Sequence, residues 1–327
     1  MTIGSRLRQR QAARRHGAQL QPVHVNEAAI RDATLLLVCC ARDERVRFPA
    51  FLAHYRRLGV RHFLVVDNGS TDGLAPWLAS EGDCSVWHAG SSYREAAFGM
   101  DWCNHLLSQW GVGKWCLTVD PDEFLIYPHC EYRGLLNLTR YLEASGQGAL
   151  FAPLLDAYSD RPLSQTRLEA GSDPFELCPY FDRLNFTQHP DAAHRSVWVQ
   201  GGVRMRRFFA DHPEQAPALN KVPLVHWRRG LRYLSSTHHL NAPELNCPHR
   251  EKPEAVSGVL FHFKYVSLLQ GKAAEEMRRG QHYAGSTEYR AYLDAGDVTL
   301  YDPQIAVRYA HSRQLQQLGF MQAGTWY

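Results

Sequence analysis

The segment Trp115–Tyr127, WCLTVDPDEFLIY, runs from apolar residues straight into Asp120-Pro121-Asp122-Glu123. Three carboxyls this close repel one another unless a cation sits among them. A hard divalent ion with oxygen ligands, bridging to a phosphate, is the common solution. The plainer reading is a strand ending in an Asx-Pro turn, with Asp122 capping the next element. Spacing alone leaves both open. Polar residues close two earlier apolar runs as well. Ala41-Arg42-Asp43-Glu44 follows Thr34–Cys40, and Asp67 ends His62–Asp67 ahead of the turn residues Asn68-Gly69-Ser70-Thr71-Asp72-Gly73.

These groups share a site only if their elements deliver them to one place. Apolar β-forming runs at Thr34–Cys40, His62–Asp67, Ser85–His88 and Trp115–Tyr127 predict strands buried on both faces. Phe48, Phe51, Leu52, Tyr55 and Leu58 recur at helical spacing before Gly59, a stop signal. A short helix is expected through Trp77 and Leu78, and a longer one from Tyr93 to Trp110. Alternation of this kind predicts an α/β fold with a mostly parallel central sheet flanked by helices. Asp67, Asp120 and the Arg42–Glu44 segment would then emerge on one edge, the crevice where open α/β sheets take ligands. A further strand is expected at Ala149–Leu155. Residues 162–217 read as loops and short strands over a substrate cleft, and a helical pattern returns at 265–292.

Composition narrows the class. A chain of 327 residues with 45% hydrophobic and 21% charged residues can bury a full core. The net charge of +3 gives no case for nucleic acid. Eight cysteines without a CxxC pair read as buried free thiols in a reducing, cytoplasmic setting. His238 and His239 are adjacent and lack an i, i+4 partner, so exposed loop histidines are expected there rather than zinc ligands. Neither GxGxxG nor a P-loop follows the first strand. Arg6, Arg8, Arg10, Arg14 and Arg15 precede the first acid, Glu27. Residues 1–32 are therefore read as a flexible basic tail, either simply solvated or in peripheral contact with an anionic membrane surface. The domain proper is set at 33–327.

FLAHYRRLGVRHFLVVDNGSTDG (Phe51–Gly73) followed by WCLTVDPDEFLIYP (Trp115–Pro128) resembles the family 2-like glycosyltransferases of GT-A fold, most closely bacterial members with a DxDEF metal motif. KVPLVHW (Lys221–Trp227) and LFHFKY (Leu260–Tyr265) resemble their C-terminal half. The resemblance implies a nucleotide-sugar-binding half at 33–130 and a more irregular acceptor half with C-terminal helices at 131–327. It also implies a metal-dependent, inverting transfer from a nucleotide-sugar donor, UDP-linked, to a carbohydrate or lipid-linked acceptor, in polysaccharide biosynthesis.

By the same resemblance Asp67 would hold the base or ribose, with Arg42 and Glu44 lining that pocket. Asp120 would contact the ribose or the metal, Asp122 would ligate Mn²⁺ or Mg²⁺, and His262 would complete the metal site beside Lys264, a phosphate contact. An inverting transfer also needs a base for the acceptor hydroxyl. Asp182, set among aromatics, is the first candidate, followed by Asp160 and Asp156. Two other classes stay open: a non-catalytic nucleotide- or sugar-binding relative, and a metal-dependent nucleotidyltransferase or phosphohydrolase.

Overall fold

The computed structural model describes residues 11–246, 252, 255–279 and 287–326. Arg6, Arg8, Arg10 and Cys247 lie outside the described residues. In chain order the strands are β1 Gln21–His24, β2 Leu35–Ala41, β3 His62–Asp67, β4 Cys84–His88, β5 Trp115–Thr118, β6 Glu123–Ile126, β7 Ala149–Leu150 and β8 Leu154–Tyr158. They continue as β9 Tyr180–Asp182, β10 Phe186–Asp191, β11 Ser196–Gly201, β12 Leu224–His226, β13 Tyr233–Ser235, β14 His239–Leu240, β15 Val259–His262 and β16 Ala306–Arg308.

The fold is mixed α/β, with a mostly parallel central sheet flanked by helices. That sheet has the order β1-β4-β3-β2-β5-β12-β7. Its four middle strands, β4, β3, β2 and β5, run parallel. β2 and β3 read LLLVCCA and HFLVVD and are almost wholly buried, as expected for strands covered on both faces. Their carboxyl ends lie level, Ala41 pairing with Asp67 and Asp67 with His88.

A second sheet, β16-β9-β8-β15-β6, abuts the first. The single strand expected over Trp115–Tyr127 is in fact two. β5 stays in the central sheet and β6 joins the second, so Asp120-Pro121-Asp122 is the crossing between them. Proline without an amide hydrogen suits such a break in a ladder. The turn closes on itself, since the Glu123 amide donates to the Asp120 carbonyl (3.0 Å) and the Asp120 amide to Glu123 Oε2 (3.1 Å). Helix Phe48–Arg57 fastens the crossing from behind. The Tyr55 hydroxyl donates to the Glu123 carbonyl (2.7 Å), and Phe51 meets the Phe124 ring edge-on.

Two expectations change in detail. Residues 21–32 are built into the fold: β1 pairs antiparallel with β4, and helix Glu27–Asp32 buries Ile30. The long helix expected from Tyr93 to Trp110 is regular only over Met100–Leu106 and continues as a π-turn over Leu107–Gly111. Ala97, Phe98 and Gly99 all have positive φ, which breaks any helix ahead of Met100. Farther along, Gly201 and Gly202 turn β11 into helix Gly202–Phe208. A Cβ on Gly201 would stand 2.2 Å from the Asn185 carbonyl oxygen, so no other residue fits there.

Candidate active site at the sheet crossing

The level strand ends and the crossing enclose a cleft of about 260 Å³. Arg42, Asp43, Glu44 and Asn68 line it from the ends of β2 and β3, and Asp120, Pro121 and Asp122 from the crossing. His262 and Lys264 come from the end of β15, with Lys272 and Glu275 from helix Leu269–Arg279 and Glu288 and Tyr289 from helix Thr287–Ala295.

Strand register sets the chemistry. β15 lies between β6 and β8, so His262 sits opposite Glu123 on one side and Asp156 on the other. Residues directly opposite in a ladder are held within reach of each other. His262 Nε2 stands 3.5 Å from Asp122 Oδ2, and its Nδ1 hydrogen donates to Asp156 Oδ1 at 2.7 Å. Arg204, reaching in from helix Gly202–Phe208, donates to both Asp156 oxygens at 3.0 and 2.8 Å. Burial disfavours the charged form of His262, yet Asp122 and Asp156 outweigh it and raise the ring to about 9. Burial likewise opposes ionisation of Asp122, but His262, Arg47 and Lys264 hold that carboxyl well below the carboxylate range. Asp156 falls to about 2 because Arg204 and His262 overcome its desolvation.

Asp120 behaves oppositely. Loss of water pushes its carboxyl up to about 7, Glu123 repels it further, and Lys221 pulls it back. Since 48% of that side chain remains in contact with solvent, repulsion is the firmer of the two upward causes. Lys221 makes a buried pair with Glu123 (3.0 Å) and stands 4.0 Å from Asp120. Two carboxylates and one imidazole thus line the cleft, the donor chemistry of a divalent-cation site, with Asp122 and His262 standing adjacent.

The residues singled out from sequence are not all brought together. Arg42, Glu44, Asp120, Asp122, His262 and Lys264 line the cleft. Arg42 donates to the Asn68 carbonyl (2.9 Å), Glu44 is paired with Lys272, and Lys264 with Glu288 (2.9 Å). Asp67 is buried beneath the lining and accepts the Ser70 amide (3.2 Å), which steadies the turn carrying Asn68. Asp156 stands behind His262 rather than in the cleft. Asp182 is fully buried, accepting from Arg206 Nε (2.9 Å) and the Tyr158 hydroxyl (2.5 Å). Asp160 is exposed after β8, outside the lining. Arg204 and Glu288 went unnoticed in the sequence because their partners are remote: Arg204 meets Asp156 across 48 positions. The expected exposure of His238 and His239 also fails, since His239 is 5% exposed and packed against His194.

No protein-family model matches the chain, and no curated protein does. Solved structures do. One is glucosyl-3-phosphoglycerate synthase from Mycobacterium tuberculosis in complex with Mn²⁺, UDP and glucosyl-3-phosphoglycerate, with 20% identity over 40% of this chain and 46% of that one, at a TM-score of 0.26. Another is mannose-1-phosphate geranyltransferase from Thermus thermophilus, with 13% identity over 79% and 67% and a TM-score of 0.29. The chain spans about half the length of the first of these. Overlaps this loose extend no activity to it, and the reading of the cleft rests on its own geometry.

Proposed function

We propose that the protein is a metal-dependent glycosyltransferase with a GT-A-like fold, moving a sugar from a nucleotide-sugar donor, UDP-linked, to a carbohydrate or lipid-linked acceptor with inversion. The observation that carries this reading is the pairing of Asp122 with His262, 3.5 Å apart in a cleft also lined by Arg42 and Lys264. Asp120, Asp122 and His262 would hold Mn²⁺ or Mg²⁺. When bound, the cation supplies the positive charge that a departing nucleoside diphosphate requires. Asp156 fixes the His262 ring through Nδ1 and so directs Nε2 at the cleft. Lys264 and Lys272, now paired with Glu288 and Glu44, could turn their charge to phosphate oxygens. The Asn68 turn, steadied by Asp67, offers polar groups to a base or ribose.

Of the three candidate carboxylates for the acceptor's base, Asp160 alone has a side chain open to solvent and not paired with an arginine. It is therefore the one to replace first, as Asp160→Asn.

The test is thermal unfolding of the purified chain against UDP-, GDP-, CMP- and dTDP-sugars, each with and without Mn²⁺. A donor at a hundred times its dissociation constant adds about 2.7 kcal/mol of stability. A shift for one nucleotide class, present with metal and lost in Asp122→Ala, is expected. No shift with any donor removes the reading. Release of pyrophosphate instead of a nucleoside diphosphate on turnover would redirect it to nucleotidyl transfer.

A further inference from the structure

Away from the cleft, the tip of the β10–β11 hairpin meets β14. Asp191 ends β10, His194 lies in the turn that follows, and His239 opens β14. One carboxylate oxygen, Asp191 Oδ2, stands 2.9 Å from His194 Nδ1 and 3.2 Å from His239 Nε2. The two rings lie face to face, 4.2 Å apart with an interplanar angle of 17°, each with a nitrogen beside that oxygen. All three donor atoms fall within 4.8 Å of one another.

We propose that Asp191, His194 and His239 form a second metal site, built for zinc or a cation of similar softness. Two imidazoles and one carboxylate make a recognised zinc donor set. At zinc bond lengths of roughly 2.0–2.1 Å, neighbouring ligands of a tetrahedron lie roughly 3.3 Å apart, close to two of the separations here. Mg²⁺ and Ca²⁺ prefer oxygen ligands, and two imidazoles here against one in the cleft favour a softer cation.

The ligands are held in place without a cation. Asn246, wholly buried, donates from Nδ2 to the His194 carbonyl (2.8 Å) and accepts the Leu240 amide at Oδ1 (2.7 Å). One side chain thus ties the backbones on either side of the site. Asn220 Nδ2 stands 3.5 Å from His239 Nε2, at the outer limit of a hydrogen bond, a weak contact that a cation would displace. The His194 side chain is 35% exposed, giving a fourth ligand, water, a way in. A cation here would pin the hairpin to β14.

The test uses the full chain, stripped with chelator and titrated with Co²⁺ as a spectroscopic stand-in for Zn²⁺. Asp122→Ala disables the cleft, so it serves as the parent. One equivalent should bind with the visible bands of four-coordinate Co²⁺ and no thiolate charge-transfer band. His194→Gln in that parent should weaken binding about a hundredfold or more, with an unchanged metal-free circular dichroism spectrum. An unchanged affinity in His194→Gln, or no binding by the parent, overturns the proposal. Binding lost with Asp122→Ala alone would place the cation in the cleft and overturn it equally, while leaving the cleft reading intact.

Discussion

His262 and Asp156 lie opposite each other on adjacent parallel strands, with Nδ1 and Oδ1 2.7 Å apart in a buried row. The carboxylate fixes the tilt of the ring and turns Nε2 toward Asp122, where a cation would have to displace its proton. A histidine so braced is a better ligand than one left to rotate.

Asp156→Asn keeps the shape but removes the charge that directs the imidazole. Activation by Mn²⁺ should then require roughly 10–100-fold more metal, with a smaller change in kcat at saturation. Metal titration of activity, beside a circular dichroism control, checks this. An unchanged activation constant would reduce Asp156 to a packing role.

Lys221 and Glu123 form a pair in which both side chains are at most 5% exposed. Lys221→Met leaves the Glu123 charge buried without its partner, which should cost about 3–5 kcal/mol in urea unfolding. Adding Glu123→Gln should recover part of that loss. Should Lys221→Met unfold within about 1 kcal/mol of the parent, the pair is not what holds the crossing closed.

Asp182 is enclosed by Arg206 and Tyr158, with no part of its side chain open to solvent. Asp182→Asn should therefore lower stability by about 3 kcal/mol or more, while turnover per folded molecule stays near normal. The opposite pattern, intact stability with lost turnover, would identify Asp182 as the acceptor's base.

Burial drives His54 down to about 3 from 6.5; the Arg57 charge adds to this and the hydrogen bond to the Leu125 carbonyl opposes it. Folded chains keep the ring neutral while unfolded chains protonate it below 6.5. Its contribution is complete above that value and drains away as pH falls toward 3. Stability should drop by about 2 kcal/mol between about pH 7.5 and 5 from this group alone. Urea midpoints across that range check it, and His54→Gln should flatten the slope. A slope equally steep in His54→Gln would assign the acid sensitivity elsewhere.

What the sequence made legible is the part governed by local pattern. β2 and β3 announce themselves as unbroken runs of β-formers, and their polar ends mark the cleft. The acids of the crossing were visible too, although their position between two sheets was not. Hydrophobicity continues from Trp115 to Tyr127 across the break, and only pairing with β15 rather than β2 distinguishes β6. Arg204 and the Asp191–His194–His239 cluster stayed hidden for a different reason. Each owes its surroundings to segments tens of residues away, and no periodicity records that. Asp182 drew notice for its aromatic neighbours in sequence, but the remote Tyr158 and Arg206 are what enclose it.

β1 has a consequence for solubility. It is a short, exposed strand with a proline, paired antiparallel along the outer side of β4 with a bulge between Pro22 and His24. Without it, the apolar β4 would present a row of unpaired amides and carbonyls to any passing chain. A shortened protein starting at Ala33 would keep every cleft residue and yet expose a sticky border. Its first failure would be self-association in concentrated solution rather than loss of catalysis.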